Sequence, residues 1–164
     1  MVFHFQQMNQ LEAEEIANQW KYDGIYSFYD ISADEDDYLE FVDSDKRGNS
    51  HFSCYAEKDL VGYYSVEILD GKAELGLGLK PEFTGKGLGT NFINAVLEHI
   101  IFMNGVNDFT LSVALFNKRA IKAYEAVGFK RKNTFIQNTN GGAYEFLRMD
   151  RFHNSFIRRS DGKK

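Results

Sequence analysis

Leu79-Lys80-Pro81-Glu82-Phe83-Thr84-Gly85-Lys86-Gly87-Leu88-Gly89-Thr90 is the stretch around which the rest of the chain can be read. Before it, residues 72–79 (Lys-Ala-Glu-Leu-Gly-Leu-Gly-Leu) read as a strand. After it, Leu88, Phe92, Ile93, Val96, Leu97, Ile100 and Ile101 fall on one stripe of a helix over residues 88–103. The segment thus carries a strand into the N-terminus of the strongest helix in the chain. Its glycines let backbone amides come close to an anion. The helix end adds unpaired N–H groups and a partial positive charge, and Lys86 adds a full one. In chemical terms this is a phosphate cradle. It does not match the nucleotide loop Gly-x-x-x-x-Gly-Lys-Ser/Thr. Its Gly-x-Gly-x-Gly spacing also differs from the dinucleotide fingerprint, and no acidic residue closes the next strand. The bland alternative is a glycine turn with no ligand.

On either side the elements follow from periodicity and turn residues. Residues 2–8 predict a strand and residues 10–20 a helix with Leu11, Ile16 and Trp20 near one face. Residues 21–35 are irregular and aromatic. A short acidic helix follows, with Tyr38, Leu39 and Val42 inward, and residues 44–50 form a polar connection. Strands are expected over 51–57, 60–69 and 72–79, the last two joined at the turn Asp70-Gly71. A strand over 108–115 precedes a helix over 118–127, which Asn117 caps at its start and Gly128 ends. A hairpin of residues 129–138 and 143–150 turns at Asn140-Gly141-Gly142. This order predicts an α/β chain with a mixed sheet and helices on its faces. Strands 72–79 and 108–115 flank a helix and should run parallel. Residues 1–150 form one domain, and 151–164 a basic C-terminal tail.

Composition narrows the function. The 164 residues suffice for one well-filled core, and 43% are apolar. The net charge of −5 argues against nucleic-acid binding and fits, weakly, a cationic substrate. The 15% aromatic share reads first as core filling and second as a pocket wall. The single cysteine, Cys54, lies in an apolar run and reads as a buried, inert thiol. His4, His51, His99 and His153 have no metal spacing and read as structural or surface residues, so no metal is expected. No signal peptide or membrane span is legible, which places the protein in the cytoplasm with no membrane partner.

Two motifs carry a resemblance. Leu79-x-Pro81 followed by Gly85-Lys86-Gly87-Leu88-Gly89 resembles the acyl-CoA loop of the GNAT superfamily of N-acetyltransferases. The family pattern is Gln/Arg-x-x-Gly-x-Gly/Ala. Gly87 and Gly89 match it, and Thr84 stands where Gln or Arg is usual. Downstream, residues 113–129 are similar to the second GNAT signature, in which an Asn (here Asn117) precedes a helix carrying a Tyr (here Tyr124) and Gly-Phe (Gly128-Phe129) follows.

The resemblance implies a GNAT-like, mostly antiparallel sheet whose parallel pair is splayed, and an N-acetyltransferase that moves an acetyl group from acetyl-CoA to a primary amine, either a small molecule or a protein N-terminus. The pyrophosphate would rest on residues 85–90, with Thr84, Gly85, Lys86, Gly87, Leu88, Gly89 and Thr90 in contact. The pantetheine arm would pair with the backbone near Leu77 and Leu79, and Asn117 would touch that arm as well as cap its helix. A backbone N–H near Leu79 would polarise the thioester carbonyl. Tyr124 would protonate the leaving thiolate. Glu74, raised by burial, would be the general base. The acceptor would sit between Trp20 to Tyr38 and Phe135 to Tyr144. Asp30, Asp34, Glu35, Asp36 and Asp37 would attract a cation or simply form a solvated loop and helix start. A silent acyl-CoA sensor and an unrelated nucleotide binder are the rival readings. A homodimer is compatible with the exposed strand edges.

Overall fold

The computed structural model describes residues 1–153. Seven strands form one sheet in the order β1-β2-β3-β4-β5-β7-β6. They are β1 (Phe3–Gln7), β2 (His51–Ala56), β3 (Asp59–Leu69), β4 (Lys72–Leu79), β5 (Phe109–Ala114), β6 (Lys130–Thr139) and β7 (Gly142–Arg151). All neighbours are antiparallel except β4 and β5. Among the described residues there are five α-helices, α1 (Gln10–Gln19), α2 (Glu35–Val42), α3 (Ser44–Arg47), α4 (Gly89–Asn104) and α5 (Lys118–Ala126), with three short 3₁₀ helices in the connections. The expected single mixed sheet with one parallel pair and helices on both faces is present. The expected 151–164 tail lies outside the described residues from 154 onward.

Strand alternation sorts the two faces. Phe52, Cys54 and Tyr64 point to one side, where α4 contributes Phe92, Ile93, Val96, Leu97 and Ile100 to the main core. Each such side chain contributes about 1.5–3 kcal/mol on leaving water. Ser53 and Tyr55 point to the other side and bond Glu12 of α1. A smaller core forms there from Met8, Ala13, Ile16, Ala17, Trp20, Phe41 and Leu60. Ile16 and Trp20 are buried as expected, whereas Leu11 is 79% exposed. Leu11 lies on the side of α1 opposite the buried stripe of Glu12, Ala13, Ile16 and Ala17, and Glu12 takes the inward place with four hydrogen-bond donors. In α2 it is Phe41, not Leu39, that is buried. The polar connection 44–50 contains α3, capped by Asp43.

Both expected hairpin turns have positive φ at two successive residues. Asp70 and Gly71 take +53° and +75°, and Asn140 and Gly141 take +52° and +76°. This is the two-residue turn whose twist matches the flanking strands. Gly142 therefore opens β7 and is not part of the turn. No helix among the described residues is long and apolar enough to cross a membrane.

Candidate functional site

The site begins where pairing between β4 and β5 fails. Their ladder runs Ala73 with Phe109, Glu74 with Thr110 and Leu75 with Leu111, and stops there. Yet β4 continues to Leu79 and β5 to Ala114. β4 stays paired with β3 throughout, to Leu79 opposite Gly62. The Lys80 amide donates to the Val61 carbonyl and the Ala73 amide to the Asp108 carbonyl, each at 2.8 Å. Along β4, even-numbered residues therefore turn their N–H and C=O toward β3 and odd-numbered ones toward β5. Beyond Leu75, the backbone groups of Leu77 and Leu79 face an open slot. The Tyr22 hydroxyl donates to the Leu79 carbonyl at 2.5 Å.

A cavity of about 760 Å³ runs through this slot. One end is the glycine loop. Thr84, Gly85, Gly87, Gly89 and Thr90 line it, while Lys86 and Leu88 do not. Gly85 and Gly87 hold φ of +71° and +76°. The Thr84 hydroxyl is committed to the Pro81 carbonyl at 2.6 Å and closes the short turn before the loop. α4 starts with no side-chain cap from Leu88, so the N–H groups of its first turn remain available to an anion. Arg119, which the sequence reading overlooked, stands over this loop. Its guanidinium lies 3.2 Å from where a Gly85 Cβ would be, and 4.3 Å from the centre of the Tyr26 ring.

Tyrosines from several elements crowd the middle of the cavity. Tyr124 of α5 packs edge-on against Phe129. Burial first, then the neighbouring Tyr29 and Tyr63 hydroxyls, raise its pKa well above the ordinary phenol value. It is therefore a protonated donor at neutral pH. Tyr29 accepts from the Ala114 amide at 3.3 Å, at the free end of β5, and burial raises its pKa too. Asn117 caps α5 through the Ala120 amide at 3.1 Å and lines the cavity as well.

The far end lies on the α1–α2 side of the sheet. Asp37, Glu40 and Phe41 of α2 line it with Tyr63, Ser65 and His51. Burial, then Asp34, Glu40 and Asp36, push the Asp37 carboxyl up. The acidic cluster divides by task. Asp34 caps α2 and accepts from the Asn140 amide at 2.9 Å, tying this segment to the β6–β7 turn. Asp30 accepts from the Tyr22 amide. Glu35 and Asp36 are exposed, and only Asp37 of the five reaches the cavity.

One expectation is corrected. Glu74 is not buried: its side chain is 45% exposed and lies 3.7 Å from the Arg148 guanidinium, outside the cavity wall. Its strand position turns it to the face of the sheet opposite α4. His51 is among the residues that line the cavity. The readings of Cys54 and His99 agree with the structure. Cys54 is fully buried, with its thiol pushed up to about 12 by burial. His99 bonds Tyr64 at 2.6 Å within the aromatic core. Among the described residues no group of three or more His, Cys, Asp or Glu is placed to hold a metal ion.

The spermidine N(1)-acetyltransferase of Vibrio cholerae is 25% identical over 141 residues, which cover 77% of this chain and 82% of that protein. The structure of the Vibrio cholerae spermidine N-acetyltransferase in complex with CoA and spermine superposes with a TM-score of 0.70 at 20% identity, covering 94% of this chain and 98% of that one. A dodecameric structure of the same enzyme gives 0.68 at 20% identity, over 96% and 98% of the two chains. Residues 9–129 match the acetyltransferase (GNAT) family from α1 to the end of the α5 motif, and the chain belongs to that family.

Proposed function

We propose that this acetyltransferase transfers an acetyl group from acetyl-CoA to a primary amine of a small polycationic acceptor of the polyamine class. The observation that carries the reading is the slot. The β4–β5 ladder ends at Leu75 and Leu111, and the backbone of Leu77 and the Leu79 N–H, no longer paired with β5, lead to the uncapped start of α4. An extended amide-bearing arm adds to that edge as a strand would. Its pyrophosphate then meets the amides of residues 85–90 and the Arg119 guanidinium. Lys86, exposed at the loop tip, adds a screened positive charge.

In this arrangement the thioester carbonyl lies against the free Leu79 N–H, which stabilises the oxyanion as the amine attacks. Tyr124 gives its proton to the departing thiolate. Water in the cavity takes the proton of the ammonium, since Glu74 is half-exposed and faces Arg148 outside the cavity wall. The acceptor enters from the far end, where Asp37 and Glu40 hold a second positive charge. The resemblance to spermidine acetyltransferases supports a polyamine, and the acidic mouth supports it independently. The protein works in the cytoplasm, and assembly into a homo-oligomer is an expectation drawn from the dodecameric relative.

The test is thiol release from acetyl-CoA across polyamines, amino acids, aminoglycosides and peptides with free N-termini. Turnover concentrated on polyamines is expected. Turnover on peptides alone would overturn the acceptor class. Tight acetyl-CoA binding with no turnover on any amine would favour the sensor reading.

A further inference from the structure

Three strands place three residues side by side beneath the acceptor end of the cavity. His51 pairs with Ser65, and Ser65 pairs with Gly76. Directly opposed residues project to the same face. The placement of a Gly76 Cβ 2.8 Å from Ser65 Oγ agrees with this. All three line the cavity. The row therefore forms a floor that starts beside the slot at Gly76, with no side chain, passes a hydroxyl, and ends at an imidazole. Adjacent strands are about 4.8 Å apart, so the floor runs about 10 Å from the slot to His51.

The state of the imidazole follows from its partners. The Ser50 hydroxyl donates its one hydrogen to the Arg47 carbonyl at 2.7 Å. Ser50 Oγ can then only accept in its 2.9 Å contact with His51 Nδ1. Nδ1 carries the proton, and Nε2 keeps a free lone pair. No buried side-chain nitrogen or oxygen lacks a partner among the described residues. Besides the contact with Ser50, the ring interacts with the Arg47 backbone, whose carbonyl Ser50 also holds. Because His51 lines the cavity and Nδ1 is engaged by Ser50, Nε2 is the ring nitrogen left to meet a guest there. Burial, reinforced by the Arg47 charge, pushes the His51 pKa down to about 4, so the ring stays neutral beside a cationic guest.

We infer that His51 is a specificity-determining residue: its Nε2 accepts a hydrogen bond from a second nitrogen of the acceptor, about two strand spacings from the amine that is acetylated. This rests on the polyamine reading above and sharpens it. Asp37 and Glu40 supply charge, which acts at any nearby position. The imidazole supplies a directional acceptor at one distance along the floor, and so selects chain length.

The test compares straight-chain α,ω-diamines from propane to octane with monoamines of matching length, using wild type, His51→Leu and Ser50→Ala. Wild type should show an optimum in chain length among the diamines. In His51→Leu the ratio of kcat/KM for the best diamine to that for its matched monoamine should fall roughly tenfold, as for loss of one hydrogen bond to a charged group. The loss should appear in KM more than in kcat, and the optimum should flatten. Ser50→Ala, which frees the tautomer without removing the ring, should give a smaller fall and covers the case in which His51→Leu does not fold. Equal losses on diamine and monoamine would overturn the inference, as would a wild-type enzyme with no chain-length optimum. A wild-type enzyme that acetylates monoamines or peptides but no diamine would refute the polyamine reading itself.

Discussion

Gly76 and Gly78 look equivalent in sequence, but the structure predicts very different costs for replacing them with alanine. A Cβ on Gly78 would lie 2.9 Å from Cζ of Tyr63 and closer still to its Cε1. Tyr63 cannot swing aside, because Trp20 and Phe41 pack on it with ring centres 6.2 and 5.4 Å away. A Cβ on Gly76 would meet only Ser65 Oγ, the end of a side chain that rotates about one bond. Overpacking against a fixed ring costs about 1–3 kcal/mol. For a chain of this size about 2 kcal/mol lowers Tm by about 4–8 °C. Gly78→Ala should therefore melt several degrees below wild type, and Gly76→Ala within about 2 °C of it. Tyr63 lines the acceptor end, so Gly78→Ala should also raise KM for the amine more than for acetyl-CoA. Differential scanning fluorimetry with initial-rate kinetics reads both effects. The double variant Gly78→Ala, Tyr63→Leu provides the cycle. With the ring gone, the added methyl should cost much less than in the wild-type background. Equal melting losses at Gly76 and Gly78, or full additivity with Tyr63→Leu, would refute the reasoning.

Tyr124→Phe keeps the ring packed on Phe129 and removes the proton donor, so kcat should fall about 10²–10⁴-fold with little change in KM, measured by thiol release. Arg119→Ala should raise KM for acetyl-CoA about tenfold while leaving KM for the amine nearly constant, since one charge-assisted contact to phosphate is lost. Asp37→Asn with Glu40→Gln should raise KM for a polyamine and weaken its salt dependence, read by kinetics at several ionic strengths. Stability should decline as pH falls below the ordinary histidine value. The folded-state pKa of His51 is depressed to about 4, and that of His99 is lowered by burial. Between the folded and unfolded values the unfolded chain binds more protons, so protonation favours unfolding. At pH 5 the His51 share is about 1 kcal/mol after allowing for partial exposure. His51→Gln should flatten the dependence of Tm on pH between 6.5 and 4, values set by the unfolded and folded pKa.

The fold was legible where one physical constraint acted alone. The α4 stripe, the Asp70-Gly71 and Asn140-Gly141 turns and the Asn117 cap each follow from local geometry. Errors arose where two constraints competed. Leu11 fits a helical stripe by spacing, but the capping box of Asn9 and Glu12 sets the rotation of α1 and turns Leu11 to solvent. Leu39 and Phe41 compete for the inward side of a two-turn helix, and the larger ring wins.

The site was legible in the glycine loop and the Tyr124 helix because each lies on a continuous segment. The acceptor end was not, because it is assembled across strands. His51, Ser65 and Gly76 are separated in sequence, and only the register of β2, β3 and β4 makes them a row. Once that register is known, the glycines of β4 acquire a second meaning. Gly78 yields its space to the Tyr63 ring, while Gly76 leaves the floor open beside the slot. The two residues that look like a relaxed strand thus divide the labour, one wall and one passage. The side chain that ends the passage is the one whose tautomer a neighbouring serine holds.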